Sequence, residues 1–238
     1  MIFCKKGCII LSERSAYKIK LINFFKKKPY TLLSLYWFLQ IAWYSVLGKI
    51  PGFANEYIMV EFNALDNLIP FCELFITVYV VWYPYILLTN VLLARKGTKS
   101  EYMYLALMTV IGMGMCMVGN TFFPTELVRD PELLENLGRS NILVKLTGFV
   151  YSCDYPPRTV FPSMHVYGSI VLAAALIRCK CAKNSLKIVA TILSVLICLS
   201  TVFVKQHSVI DLFASVIIFI VLHFAYIIIQ KIKARNAR

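Results

Sequence analysis

"DYPPRTVFPSMHVYGSIV", residues 154–171, crowds prolines, Asp154, Arg158, Ser163 and His165 against an apolar run suited to lipid. Polar groups of this kind are costly inside a bilayer, so their place at the edge of such a run has to be explained. The rest of the chain sets the terms. Hydrophobic residues make up 59% of its 238 residues and charged ones only 16%, and the mean hydropathy is +0.71. A soluble globular domain does not have this composition, and an integral membrane protein does.

Six apolar stretches, 30–47, 70–93, 102–122, 163–177, 186–204 and 208–229, approach the length needed to cross about 30 Å of hydrocarbon. The expected fold is all-α, a polytopic membrane protein with six transmembrane helices in one bundle. Residues 1–29 form a basic cytoplasmic arm, 30–230 the membrane domain and 231–238 a basic tail. In the arm, Tyr17, Leu21, Phe24 and Phe25 recur at helical spacing opposite Lys18, Lys20, Asn23 and Lys27, which predicts an interfacial helix on anionic lipid. A solvated basic tail is the alternative.

Nineteen of the 25 basic residues fall before the first stretch, between the second and third, between the fourth and fifth with Lys187 at the edge of the fifth, and after the sixth. The positive-inside rule then puts both termini in the cytoplasm of a multi-pass cell-membrane protein. The net charge of +13 is read as a topology signal and an attraction to anionic lipids at the cytoplasmic face, with no nucleic acid as partner. The eight cysteines are scattered and imply no pairing, and Cys179 and Cys181 lack a second pair of metal ligands. No metal or other cofactor is expected. In the outer loop at 123–162, apolar residues from Leu133 to Val150 recur at three- and four-residue steps and predict a helix along the interface.

The histidines are His165, His207 and His223. His165 opens the fourth stretch and His207 the sixth; two crossings return the chain to its starting face, so both rings are expected at one surface, the outer one. Asp211 follows His207 by one helical turn, where its carboxylate can hold one ring nitrogen and leave the other basic. That is the orienting logic of a base-activated site, with histidine itself as nucleophile. His223 has no acidic neighbour in sequence and is read as packing or as a helix–helix hydrogen bond. Pro162 and Ser163 suit a helix start whose free N–H groups attract an anion. Arg129, Arg158 and Lys205 are expected to converge there on a phosphate.

"FPSMH" at 161–165 and "STVFVKQHSVID" at 200–211 resemble the second and third signatures of the type 2 phosphatidic acid phosphatase superfamily. The resemblance covers roughly residues 60 to 225. It implies a phosphohistidine mechanism, with His207 as nucleophile, Asp211 orienting it, His165 as the general acid and Ser163 as a phosphate ligand. Met164 stands where glycine is usual, a choice that looks more like the inositol phosphorylceramide synthase branch. Thr201 occupies an arginine slot, and in "FFPTELVRDPE" at 122–132 Arg129 is kept while Phe122 fills the lysine slot and Asp130 follows the arginine. Lys205 and Arg158 are the proposed substitutes.

The expected activity is that of an integral-membrane lipid phosphate phosphatase or phosphotransferase at the outer face, with a possible hydroxyl acceptor. A head-group transferase, or a non-catalytic lipid-binding or flippase protein, is the alternative. The orientation can be checked directly: cysteines introduced at Glu132 and Glu135 should react with an impermeant thiol reagent from outside and one at Lys183 should not, and the reverse pattern overturns it.

Overall fold

The computed structural model describes residues 20, 22–47, 57–61, 63–122, 124–130 and 132–237. The chain divides into two compact units, Met1–Leu35 and Tyr36–Arg238. In the first, residues 22–27 are helical and Pro29–Leu35 coil as a 3-10 helix. Phe24 and Phe25 are half-buried and meet edge to face at 5.5 Å, while Lys26 and Lys27 are exposed. The Tyr17 end of the predicted interfacial helix lies outside the described residues.

The second unit is helical, with helices α1 (Tyr36–Leu47), α2 (Phe75–Lys96), α3 (Lys99–Phe122), α4 (Ile142–Cys153), α5 (Met164–Arg178), α6 (Asn184–Phe203) and α7 (Val209–Asn236). Four of them, α2, α3, α6 and α7, have 22, 24, 20 and 28 residues and are apolar enough to cross a membrane. At about 1.5 Å per residue the shortest spans about 30 Å. Two of the six expected stretches give shorter helices. The first stretch yields only the 12 residues of α1, because Pro29–Leu35 is not α-helical. The fourth yields the 15 residues of α5, which starts at its Ser163 cap and stops at Cys179. The expected 231–238 tail is helical through Asn236.

The chain is mostly helical, as the all-α expectation has it, with one short parallel pair, β1 (Ile58–Val60) and β2 (Thr125–Leu127). Cys179 and Cys181, expected to be unpaired, are joined in a disulfide within the turn that follows α5. The interfacial helix of the long loop begins later than its apolar pattern suggested. Residues 132–137 are turns, and Asn141 caps α4 by accepting from Leu143 N and Val144 N at 2.9 and 3.0 Å.

Lipid tails are as apolar as leucine, so membrane helices associate through close packing of small residues and through hydrogen bonds. Helix α5 buries Gly168, Ser169, Ala173 and Ala175, and α6 buries Ala190, Ser194 and Ile197. This makes α5 the centre of the bundle, packed by α2, α3, α6 and α7. Within α3, Thr109–Met113 form a π-helical turn. Tyr167 of α5 lies over it, donating to Met108 O at 2.7 Å, and its ring fills the space a Cβ on Gly112 would need, 2.0 Å away. Tyr104 and His223 join α3 to α7 through a 2.7 Å hydrogen bond, the helix–helix role read for His223.

The 154–163 stretch lies along β2. Leu127 N donates to Pro157 O and Thr159 N to Thr125 O, both at 2.9 Å, and the Thr125 hydroxyl accepts from Val160 N and Phe161 N. This strap delivers Ser163 to the head of α5. Farther along the loop, Arg139 reaches Glu73 at 2.8 Å, with Asn141 donating to the other carboxylate oxygen. The Arg139 hydrogen bond, helped by backbone and Asn141 donors, holds the Glu73 pKa down to about 2 from an ordinary 4.5. A depressed carboxyl stabilises the fold above its unfolded value and loses that contribution as pH falls through the folded one. Thermal stability in detergent should therefore fall as pH drops from 4.5 toward about 2, and Glu73→Gln should flatten that dependence; an unchanged slope would remove the pair from the stability of this loop.

Candidate functional site

His165 is the second residue of α5. Ser163, fully buried, caps the helix by accepting from Val166 N at 3.4 Å, and the Ser163 carbonyl accepts from Ser215 of α7 at 2.9 Å. Two helices later the chain returns to the same end, and the His165 and His207 rings lie with centroids 6.0 Å apart. The parity argument placed them at one surface; the structure makes them neighbours.

The His207–Asp211 contact forms at 3.0 Å, through a different geometry from the shared helix face expected. Helix α7 starts at Val209, so His207 precedes it. Ser208 is the N-cap, and Asp211 completes a capping box by accepting from Ser208 N at 3.1 Å. The same oxygen, Oδ2, accepts from His207 Nδ1, while Oδ1 is buried without a partner among the described residues. A carboxylate only accepts, so Nδ1 carries a proton, and in the neutral ring the lone pair is then on Nε2.

The turn that carries His207 is held on every side. Phe75 stacks on Phe203 at 4.4 Å, Tyr151 donates to Val204 O at 2.6 Å, and His207 N donates to Thr201 O at 3.1 Å. Asp66 receives Ser208 Oγ at 2.6 Å and Val209 N at 2.8 Å. Lys205 has a left-handed backbone, φ +52°, a conformation a non-glycine residue keeps only where its surroundings enforce it.

The three proposed phosphate cations are not brought to one point. Arg129 alone has contacts beside His207: it donates to Lys205 O at 3.2 Å and Gln206 Oε1 at 2.9 Å, lies 3.7 Å from Asp154 Oδ2, and packs over the Tyr151 ring. Lys205 turns its ammonium to the carbonyls of Asp66 and Ile69, at 2.7 and 2.5 Å. Burial lowers its pKa, with Asp66 opposing. Arg158 pairs with Glu126 at 3.1 Å and lies over Tyr57. Two strap and turn cations are thus satisfied by the loops they fasten, a demand that a list of charges does not reveal.

Sequence reasoning passed over several groups at this end. The Tyr79 ring of α2 stacks on that of His165 at 4.4 Å, and the Trp82 ring lies tilted against it at 4.1 Å. Aromatic faces attract a protonated imidazole, and these hold its plane. Gln206 is buried with Nε2 unpartnered among the described residues, a donor beside His207. Asp154, whose pKa burial raises against the pull of Tyr44 and Arg129, completes the surroundings. The spacing of Tyr79, Trp82 and Tyr83 was a visible signal, but in a span it reads as a lipid-facing aromatic stripe.

No protein-family model, no curated protein and no solved structure matches the chain. The arrangement itself is testable. In 15N-histidine-labelled protein, His207 should show a protonated Nδ1 and an unprotonated Nε2. Asp211→Asn should raise the Nε2–H tautomer at His207 alone, because its amide can offer a proton to Nδ1; an unaltered spectrum would remove Asp211 as the group that fixes the tautomer.

Proposed function

We propose that this membrane protein is a lipid phosphate phosphatase or phosphotransferase that works through a phosphohistidine on His207. The observation that carries the reading is the neighbouring histidine pair, 6.0 Å between ring centroids, with Asp211 bonded to the far side of one ring. One imidazole has a free lone pair aimed away from its carboxylate, as a nucleophile needs. The other stands where it can return a proton to a departing oxygen. The resemblance of the two histidine stretches to the type 2 phosphatidic acid phosphatase superfamily points the same way.

In this reading Arg129 and the Gln206 amide take the phosphate oxygens, a fork and a neutral donor on the His207 side. His207 Nε2 attacks phosphorus, the phosphoester oxygen leaves with a proton from His165, and an incoming hydroxyl then returns the phosphoryl group from His207. Water as that hydroxyl gives hydrolysis, and an alcohol gives transfer. Hydrolysis needs no second substrate and is taken as the basal reaction. The site is assigned to the outer face with both termini cytoplasmic. Arg95, Lys96, Lys99, Arg178, Lys180 and Lys183 flank helix ends opposite those that carry His165 and His207, in keeping with the positive-inside rule. Anionic lipid is the partner expected at that basic end.

Purified protein given a labelled phosphatidic acid should form an acid-labile phosphoryl adduct that is absent from His207→Ala, with turnover lowered by roughly 10⁴-fold or more, as when a nucleophile is deleted. His165→Ala should cost on the order of 10²–10⁴ with an alkoxide leaving group and far less with a nitrophenolate, which departs without proton help. The step should have a bell-shaped pH dependence belonging to the coupled histidine pair. Anion binding with neither adduct nor turnover would favour the non-catalytic lipid-binding alternative.

A further inference from the structure

Helix α1 is apolar on the faces it exposes, with Phe38, Leu39 and Ile41 open to lipid. Its inward face is not. Trp37, Gln40 and Tyr44 recur at three and four residues and share one side of the helix, and each meets the bundle near His165. Trp37 packs edge-on to Trp82 at 6.1 Å, the Gln40 amide nitrogen rests 3.0 Å from Met164 Sδ, and Tyr44 donates to Asp154.

Polar atoms along this face are left unmet. Gln40 is 4% exposed and Trp82 7%, yet Gln40 Oε1, Trp82 Nε1 and His165 Nε2 have no partner among the described residues. Met164 and Gly168 are one turn apart on α5, and Trp82 Nε1 would lie 3.4 Å from a Cβ on Gly168, so the amide and the indole address the same side of that helix. A buried acceptor, donor and ring nitrogen in an apolar bundle imply a ligand that satisfies them.

The chemistry of that ligand follows from what the atoms lack. Gln40 Oε1 needs a donor and Trp82 Nε1–H an acceptor, and hydroxyl groups supply both. An ionised phosphate supplies no donor and would meet the Asp154 carboxylate. Arg129, bonded to Gln206, belongs to the phosphate on the His207 side.

We infer that Gln40 and Trp82 form a hydroxyl-recognising subsite for the alcohol side of the phosphoester, selecting an alcohol that carries further uncharged hydroxyls. The inference rests on the proposed phosphohistidine reading and deepens it. The subsite that holds a leaving alcohol also holds an incoming one, because the two half-reactions mirror each other. As the alcohol oxygen bonds to phosphorus, the Nε2–P bond of His207 breaks with its electron pair returning to nitrogen, and the alcohol proton passes to His165. The enzyme therefore transfers phosphate to polyols as well as hydrolysing it.

The test is a partition measurement on the full chain in detergent micelles. Labelled phosphatidic acid supplies the phosphoryl group, and glycerol and propan-1-ol compete as acceptors of similar size. Wild type should favour glycerol, and Gln40→Leu and Trp82→Phe should each lower the glycerol-to-propanol product ratio by up to roughly tenfold, the scale of one lost neutral hydrogen bond. Both products arise from one phosphoenzyme, so the ratio does not depend on how much of a variant folds. A wild type without preference, or variants that keep the full preference, would overturn the subsite while leaving the phosphohistidine reading intact. Absence of any phosphoryl adduct on His207 overturns both.

Discussion

One carboxylate oxygen, Asp211 Oδ2, joins the start of α7 to the ring of His207. It accepts from Ser208 N and from His207 Nδ1, so the bond that begins the helix also orients the imidazole. Between α6 and α7 the backbone leaves helical geometry at the head of an apolar bundle, where unpaired amides and carbonyls are costly. The Asp66 carboxylate accepts from Val209 N, Tyr151 donates to Val204 O and Thr201 O accepts from His207 N, and the groups that complete the turn thereby fix where the histidine stands.

The partner histidine is held by different means. His165 sits at the head of the most enclosed helix, whose small residues let its neighbours approach closely. The strap along β2 and the Ser163 cap set the height of the ring, and the stacked Tyr79 and tilted Trp82 rings set its plane. The question posed by the polar stretch before α5 is thereby answered: its backbone is bonded to β2, and its polar side chains fasten that strap or cap the helix it feeds.

The surroundings of the two rings differ in kind. Beside His207 stand Arg129 and a free amide donor, suited to an anion. Beside His165 stand indole, phenol and amide groups, suited to something uncharged. At the other end of α5, Arg178 lies over Tyr104 and Tyr226, and Glu101 accepts from Lys180 N. Basic and aromatic groups, with His223 bonded to Tyr104, hold that end, and His165 and His207 hold the opposite one.

Composition, apolar run length and the distribution of lysine and arginine were enough to read a helical membrane chain, because those properties depend on each residue's own transfer into lipid. The meeting of His165 and His207 followed from counting crossings, and the His207–Asp211 contact from spacing, although the contact came through a capping box. The shortness of α1, the β1–β2 pair and the Cys179–Cys181 bond did not follow, since each depends on what a segment packs against or how a turn closes. Nor did the sorting of the cations. Arg129, Arg158 and Lys205 look alike along the chain, but which one stays beside His207 is decided by Glu126 and by the carbonyls of Asp66 and Ile69. Those partners are remote in sequence, and a buried charge goes to whatever group can satisfy it, which only the tertiary structure brings within reach.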